Sequence, residues 1–167
     1  MKRLLVLRHA KSSWRDQALD DHERPLNKRG RRDAPRIGLL MERRGLLPQI
    51  AITSSALRAR ATLELALEPR EWAGEIRVSP RVYGASATEI VDVLGETPGR
   101  YDRLLLVGHN PTLEELVAGL TGRAVALPTG ALAVIDGAWS DWGALALDGA
   151  AELVALYTPR RLDDEDG

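Results

Sequence analysis

The sequence predicts an α/β protein: a three-layer α/β/α sandwich around a central, mostly parallel sheet with an antiparallel edge. Three observations predict it. The runs "LLVL", "QIAIT" and "RLLLV" are short and almost unbroken in apolar character, as strands buried on both faces require. Between them lie stretches of helical length that begin with capping residues and end near Gly or Pro. The last third instead alternates strand-like segments with turn signals.

In chain order, Leu4 to Leu7 form the first strand, and "SSWRDQALDDHERPLNKRG" reads as an ordered loop rich in charge and turn formers. Asn27 caps a helix running through about Arg43, which Gly45 and Pro48 end. "QIAIT" is the second strand, and Ser54 and Ser55 offer caps for a helix over "ALRARATLELALE". "EIRVSP" is a third strand. Ser86 or Thr88 opens a helix through about Leu94, closed by Gly95 and Pro98. "RLLLVGHNP" repeats the opening pattern, an apolar run ending in a polar cluster, and Thr112 begins a helix through Leu120. "TGALAVIDG" and "GALALDGAAELVALYT" read as strands, with Asp148-Gly149 as a hairpin signal. A single domain over 1–160 is expected, followed by a solvated acidic tail over 161–167.

The bulk numbers exclude several classes. The 167 residues, 44 % of them hydrophobic, fit one domain with a sizeable core. A net charge of −1 with intermixed signs gives no electrostatic case for nucleic acid or an anionic membrane. The absence of cysteine removes thiolate chemistry and cysteine-ligated metals. Only four apolar residues precede Arg8, too few for a signal-peptide core, and no stretch has the length of a membrane span. A cytoplasmic protein is therefore expected.

In open α/β sheets, ligands bind at the carboxyl ends of the strands. The first strand delivers Arg8 and His9 there, the second leads to Arg58 one turn into its helix, and the fourth delivers His109 and Asn110. An imidazole at a strand end is most simply a surface residue. Its recurrence at the end of a second buried run, with an arginine between, points instead to a shared pocket. Two guanidiniums and a helix N-terminus suit a phosphoryl dianion, and a neutral imidazole beside them can act as nucleophile. Arg24 is expected to reach into this pocket from the loop, with Ser12 and Asn110 as further contacts. His22 is expected to be a loop residue, Trp14 a loop anchor, and Glu114 and Glu115 charges that complement a helix dipole.

"LRHAKSSW", "SSALRARAT" and "LLLVGHNPTLEEL" together resemble the histidine phosphatase superfamily, and the short length, Ala10, "DDHERPLNKRG" and "GHNP" resemble its phosphohistidine phosphatase SixA branch. The resemblance runs from residue 4 to about 135. It implies the histidine phosphatase, or phosphoglycerate mutase-like, fold. It also implies metal-independent catalysis without a cofactor, His9 as the residue that becomes phosphorylated, and Arg8, Arg58 and His109 as grips on the phosphoryl oxygens. Glu89 stands where one branch of the family carries its general acid; Asp21 is the local alternative and solvent the third, and Asn110 stands where another branch has an aspartate. The implied substrate is phosphohistidine on a protein, with a small phosphorylated molecule as the alternative. A mutase-like enzyme, a non-catalytic phosphate-binding module and a metallohydrolase using His9, His22 and His109 with Asp20, Asp21 or Asp102 are the competing readings.

Overall fold

The computed structural model describes residues 1–166 of the chain. The elements are β1 (Lys2–Arg8), α1 (Lys28–Arg43), β2 (Ile50–Ser54), α2 (Leu57–Leu67), β3 (Glu75–Ser79), α3 (Ala87–Gly95), β4 (Arg103–Gly108), α4 (Thr112–Thr121), β5 (Leu132–Gly137), β6 (Glu152–Tyr157) and α5 (Pro159–Asp166). The strands form one six-stranded sheet in the order β3-β2-β4-β1-β5-β6. β1, β2, β3 and β4 pair in parallel, whereas β5 runs against both β1 and β6. The α/β class and the mostly parallel sheet with an antiparallel edge are as the sequence predicts.

Residue alternation along the strands builds two cores. Leu4 and Val6 point to the face covered by α3 and α4, where Ile90, Leu94, Leu113, Leu116 and Leu120 are buried. Leu5 and Leu7 point to the opposite face, against Ile37 and Met41 of α1 and Leu63 and Leu67 of α2. Each such side chain contributes about 1.5–3 kcal/mol by leaving water, which is why β1 carries four consecutive leucine or valine residues. α1 and α2 approach closely at Gly38, where a Cβ would lie 1.9 Å from the Ala66 carbonyl oxygen.

Caps agree with the sequence at two helices. Asn27 accepts from the Gly30 N–H, and Ser86 forms a capping box with Glu89. At α2 the cap residue is Ala56, and the Ser54 hydroxyl accepts instead from the Ala56 N–H.

Two expectations are corrected. The segment before Asp148-Gly149 is not a strand: β5 and β6 are joined by a long connection containing a short 3-10 turn at Trp142–Ala144. Its register is set by the buried Trp142, whose indole N–H donates to the Tyr101 carbonyl. Asp148-Gly149 makes a turn docked on the end of α4, with the Gly149 N–H donating to the Gly119 carbonyl. The expected solvated tail is also structured through α5. Leu162 joins the core beside α1 and α2, and Asp163 pairs with Arg32 and Arg36; Gly167, its last residue, lies outside the described residues.

Candidate active site

β1 and β4 are neighbours, with Arg8 opposite Gly108. The residues that follow them leave the sheet together at its carboxyl edge. These are His9 and His109, whose ring centroids lie 5.3 Å apart. Gly130 secures this exit by donating its N–H to the carbonyls of both Arg8 and His9, at a φ of 77° that a side chain would strain.

His9 is buried, and its Nδ1 lies 2.8 Å from the Ala10 carbonyl oxygen. A carbonyl only accepts, so Nδ1 holds the proton and Nε2 keeps the lone pair. Burial lowers the His9 pKa from 6.5 to about 3; His109, Arg58 and Arg8 add to the effect, and the Ala10 hydrogen bond opposes it. At neutral pH His9 is therefore an uncharged base with its nucleophilic nitrogen free.

His109 is held differently. Its Nε2 lies 2.7 Å from the Ser54 hydroxyl, while its buried Nδ1 has no hydrogen-bond partner. Ser54 already accepts from Ala56, so its single proton is best placed on His109 Nε2; the opposite tautomer would leave that buried hydroxyl proton unpaired. Nδ1–H is then a donor with nothing in the chain to donate to. Burial, followed by Arg58, lowers the His109 pKa to about 4. Ser54→Ala should release this tautomer and lower kcat/KM about 10-fold, the lower end of the usual effect of such orienting partners. ¹⁵N shifts of the His109 ring would show mixed tautomers in the variant and one in the parent.

Two arginines complete the cluster. Arg8 donates to the Leu127 carbonyl at 3.0 Å and has a buried, unpartnered Nε. Arg58 donates to the Asp21 carbonyl at 2.7 Å and to its carboxylate at 3.0 Å, again leaving Nε buried and unpartnered. Asp21 is a hub: its carboxylate also accepts from the Tyr83 hydroxyl at 2.7 Å and from Arg24 Nε at 3.1 Å. The Tyr83 bond foremost, with Arg58 and Arg24, holds Asp21 well below the usual carboxylate range. It remains ionised and has no proton to give at neutral pH.

The loop folds back on itself to make this possible. Ser12 bridges Leu26, the Asn27 N–H donates to the Lys11 carbonyl, and α1 approaches so closely that a Cβ on Gly30 would lie 2.1 Å from that oxygen. Arg24 is buried in the fold-back and donates to the Ser12 hydroxyl at 2.8 Å. Trp14 lies over Arg24, its centroid 3.4 Å from the guanidinium carbon, and is 68 % exposed. Asn110 donates to the Leu127 carbonyl at 2.8 Å and keeps a buried Oδ1 without a partner. Glu114 does more than complement a dipole, since it accepts from the Leu127 N–H at 2.7 Å and so fixes the carbonyl that Arg8 and Asn110 share.

The structure brings together His9, Arg8, Arg58, His109, Arg24, Ser12 and Asn110. Glu89 lies apart. Its carboxylate accepts from the Ser86 N–H at 3.0 Å, is exposed and is lowered in pKa by that cap; it lines a cavity with Arg81, Tyr83 and Asp92. A neighbouring cavity of about 250 Å³ opens beside His109 and Asn110. Sequence reasoning missed Tyr83 and the role of Ser54. Tyr83 stands edge-on to His109 at 5.7 Å and grips Asp21, and only its position just before the α3 turn could have signalled it. His22, expected to be a plain loop residue, contacts Ser55 and Tyr83. Among the described residues, no group of three or more His, Cys, Asp or Glu is placed to hold a metal ion.

The two neutral imidazoles make stability depend on pH. Between about pH 6.5 and pH 4 the unfolded chain binds protons at both histidines that the folded chain refuses, so stability falls as pH falls through that window. Urea midpoints should drop from pH 7.5 to pH 5, and a His9→Gln/His109→Gln double variant should show a shallower slope.

Residues 4–84 match the histidine phosphatase superfamily (branch 1). An uncharacterized chloroplastic protein of Arabidopsis thaliana is 32 % identical over 95 % of this chain and 78 % of its own length. An uncharacterized protein of Mycobacterium tuberculosis is 32 % identical over 92 % of this chain and all of its own length. The structure described as the phosphohistidine phosphatase SixA of Agrobacterium tumefaciens superposes with a TM-score of 0.82 at 25 % identity, covering 95 % of this chain and 98 % of that one. A phosphoglycerate mutase of Streptomyces avermitilis is 38 % identical over half of this chain, a match covering 36 % of its own length. The fold, the order of the motifs and these likenesses agree: the chain belongs to the histidine phosphatase superfamily and is a phosphatase enzyme.

Proposed function

We propose that this enzyme removes phosphoryl groups through a phosphohistidine intermediate on His9, and that its substrate is phosphohistidine carried on another protein. One observation carries the mechanism: three buried donors without partners, Arg8 Nε, Arg58 Nε and His109 Nδ1, belong to the three residues whose charges act on the neutral His9 imidazole. Buried donors left unpaired cost about 1–3 kcal/mol each, and a phosphoryl group offers the oxygens to satisfy them together. His9 Nε2 attacks phosphorus in line with the leaving group. The donors take up the charge that develops on the equatorial oxygens, and water then releases phosphate and restores His9.

The likeness to the SixA structure supports the substrate class. The chemistry is consistent with it, because an imidazole leaving nitrogen departs readily once protonated. Phosphate release from a phosphohistidine-bearing protein, followed in excess EDTA, tests the proposal. Release by the parent enzyme is expected. Release only from small phosphomonoesters would move the substrate to that class, which the partial likeness to phosphoglycerate mutases also suits.

A further inference from the structure

A second hydrogen-bonded chain runs along the edge of the pocket. Glu23 Oε1 lies 3.0 Å from His22 Nδ1, and His22 Nε2 lies 2.9 Å from the Ser55 hydroxyl. The order is carboxylate, imidazole, hydroxyl. A carboxylate at Nδ1 accepts that N–H and orients the ring, which frees Nε2 to exchange a proton with the serine oxygen.

Both ends of the chain adjoin residues of the phosphoryl site along the sequence. Ser55 lies between Ser54, which holds His109, and the turn of α2 that carries Arg58. His22 follows Asp21, which Arg58 grips, and its ring is 4.9 Å from Tyr83, the same ring that faces His109. Ser55 and His22 are both only partly buried. Of the carboxylates expected to carry the proton, Asp21 is engaged by its two arginines and Tyr83, and one oxygen of Glu89 is engaged in its cap.

We infer that Ser55, backed by His22 and Glu23, is the proton relay of this active site; the inference rests on the phosphohistidine-intermediate reading. In the first half-reaction the bond from phosphorus to the leaving atom breaks as the bond to His9 Nε2 forms. The leaving atom takes the Ser55 hydroxyl proton, and Ser55 takes the proton from His22 Nε2. In the second half-reaction water adds to phosphorus as the His9–phosphorus bond breaks. Its proton passes to Ser55, and the Ser55 proton returns to His22.

A series of aryl phosphates whose phenols differ in acidity separates this role from a structural one. Phenyl phosphate needs its leaving oxygen protonated, whereas 2,4-dinitrophenyl phosphate does not. In kcat/KM, His22→Gln and Ser55→Ala should each lose about 100-fold on phenyl phosphate, the lower end of general acid catalysis, and stay within about 3-fold of the parent on the dinitrophenyl ester. Equal losses on both esters, or none on either, overturn the relay. Trapping the acid-labile phosphoenzyme in the parent distinguishes the two levels. A phosphoenzyme with equal losses overturns the relay alone, and no phosphoenzyme overturns the relay together with the reading beneath it.

Discussion

His9→Ala should abolish turnover, lowering kcat by at least about 10⁴-fold, the scale seen when a nucleophile that works with its neighbours is removed. The reason is specific to the geometry. His9 Nε2 is the lone pair left free by the Nδ1 bond to Ala10, and His109 cannot replace it, because its Nε2 is taken by Ser54. Arg8, Arg58 and His109 keep their own anchors in this variant. Inorganic phosphate should therefore still bind, within about 10-fold of the parent by calorimetry, while no acid-labile phosphoenzyme forms. A variant that keeps turning over would remove His9 from the nucleophile role. A variant that binds no phosphate would mean that the orphan donors are not the anion site.

Arg58→Ala should have the second largest effect, about 10³-fold in kcat/KM, at the upper end of what one preorganised donor contributes to a developing charge. Two functions are lost together: the unpartnered Nε in the pocket, and the two bonds that hold Asp21 and the loop behind it. Arg58→Lys should recover little, because an ammonium is a single point charge and cannot meet the Asp21 carbonyl, its carboxylate and the substrate at once. Losing the bonds to the loop should also destabilise the fold by about 1–3 kcal/mol. Denaturant midpoints of the alanine and lysine variants measure that part separately. Full rescue by lysine would reduce Arg58 to a diffuse positive charge.

Much of the site was legible in the sequence, for a definite reason. A strand buried on both faces must be apolar along its whole length, so its last residue marks the edge of the sheet; Arg8-His9 and His109-Asn110 sit at two such marks. Capping chemistry is similarly local, which is why Asn27 and Ser86 were readable from their neighbours. Glu89 shows that one residue can be read in two ways. Its distance along the chain from His9 suits a proton donor, and the Ser86 cap three residues earlier also engages one of its carboxylate oxygens.

Partnerships across the chain were not legible. Ser54 reads as a helix cap until β2 is placed next to β4, and only that adjacency sets its hydroxyl against His109. His22 reads as a loop residue until the fold-back of residues 12 to 27 lays it on the start of α2. The segment before Asp148-Gly149 has strand-like alternation, but the buried Trp142 and the hydrogen bond from Gly149 to Gly119 dock it on the helical layer instead of on the outer edge of β6. The sequence alone determined which residues must leave water and where each strand surfaces, because burial and capping depend on composition and near neighbours. The tertiary structure alone decided which polar groups meet there and which are left unpaired, because a hydrogen bond spanning 55 residues, as between Ser54 and His109, exists only once the strand order is set.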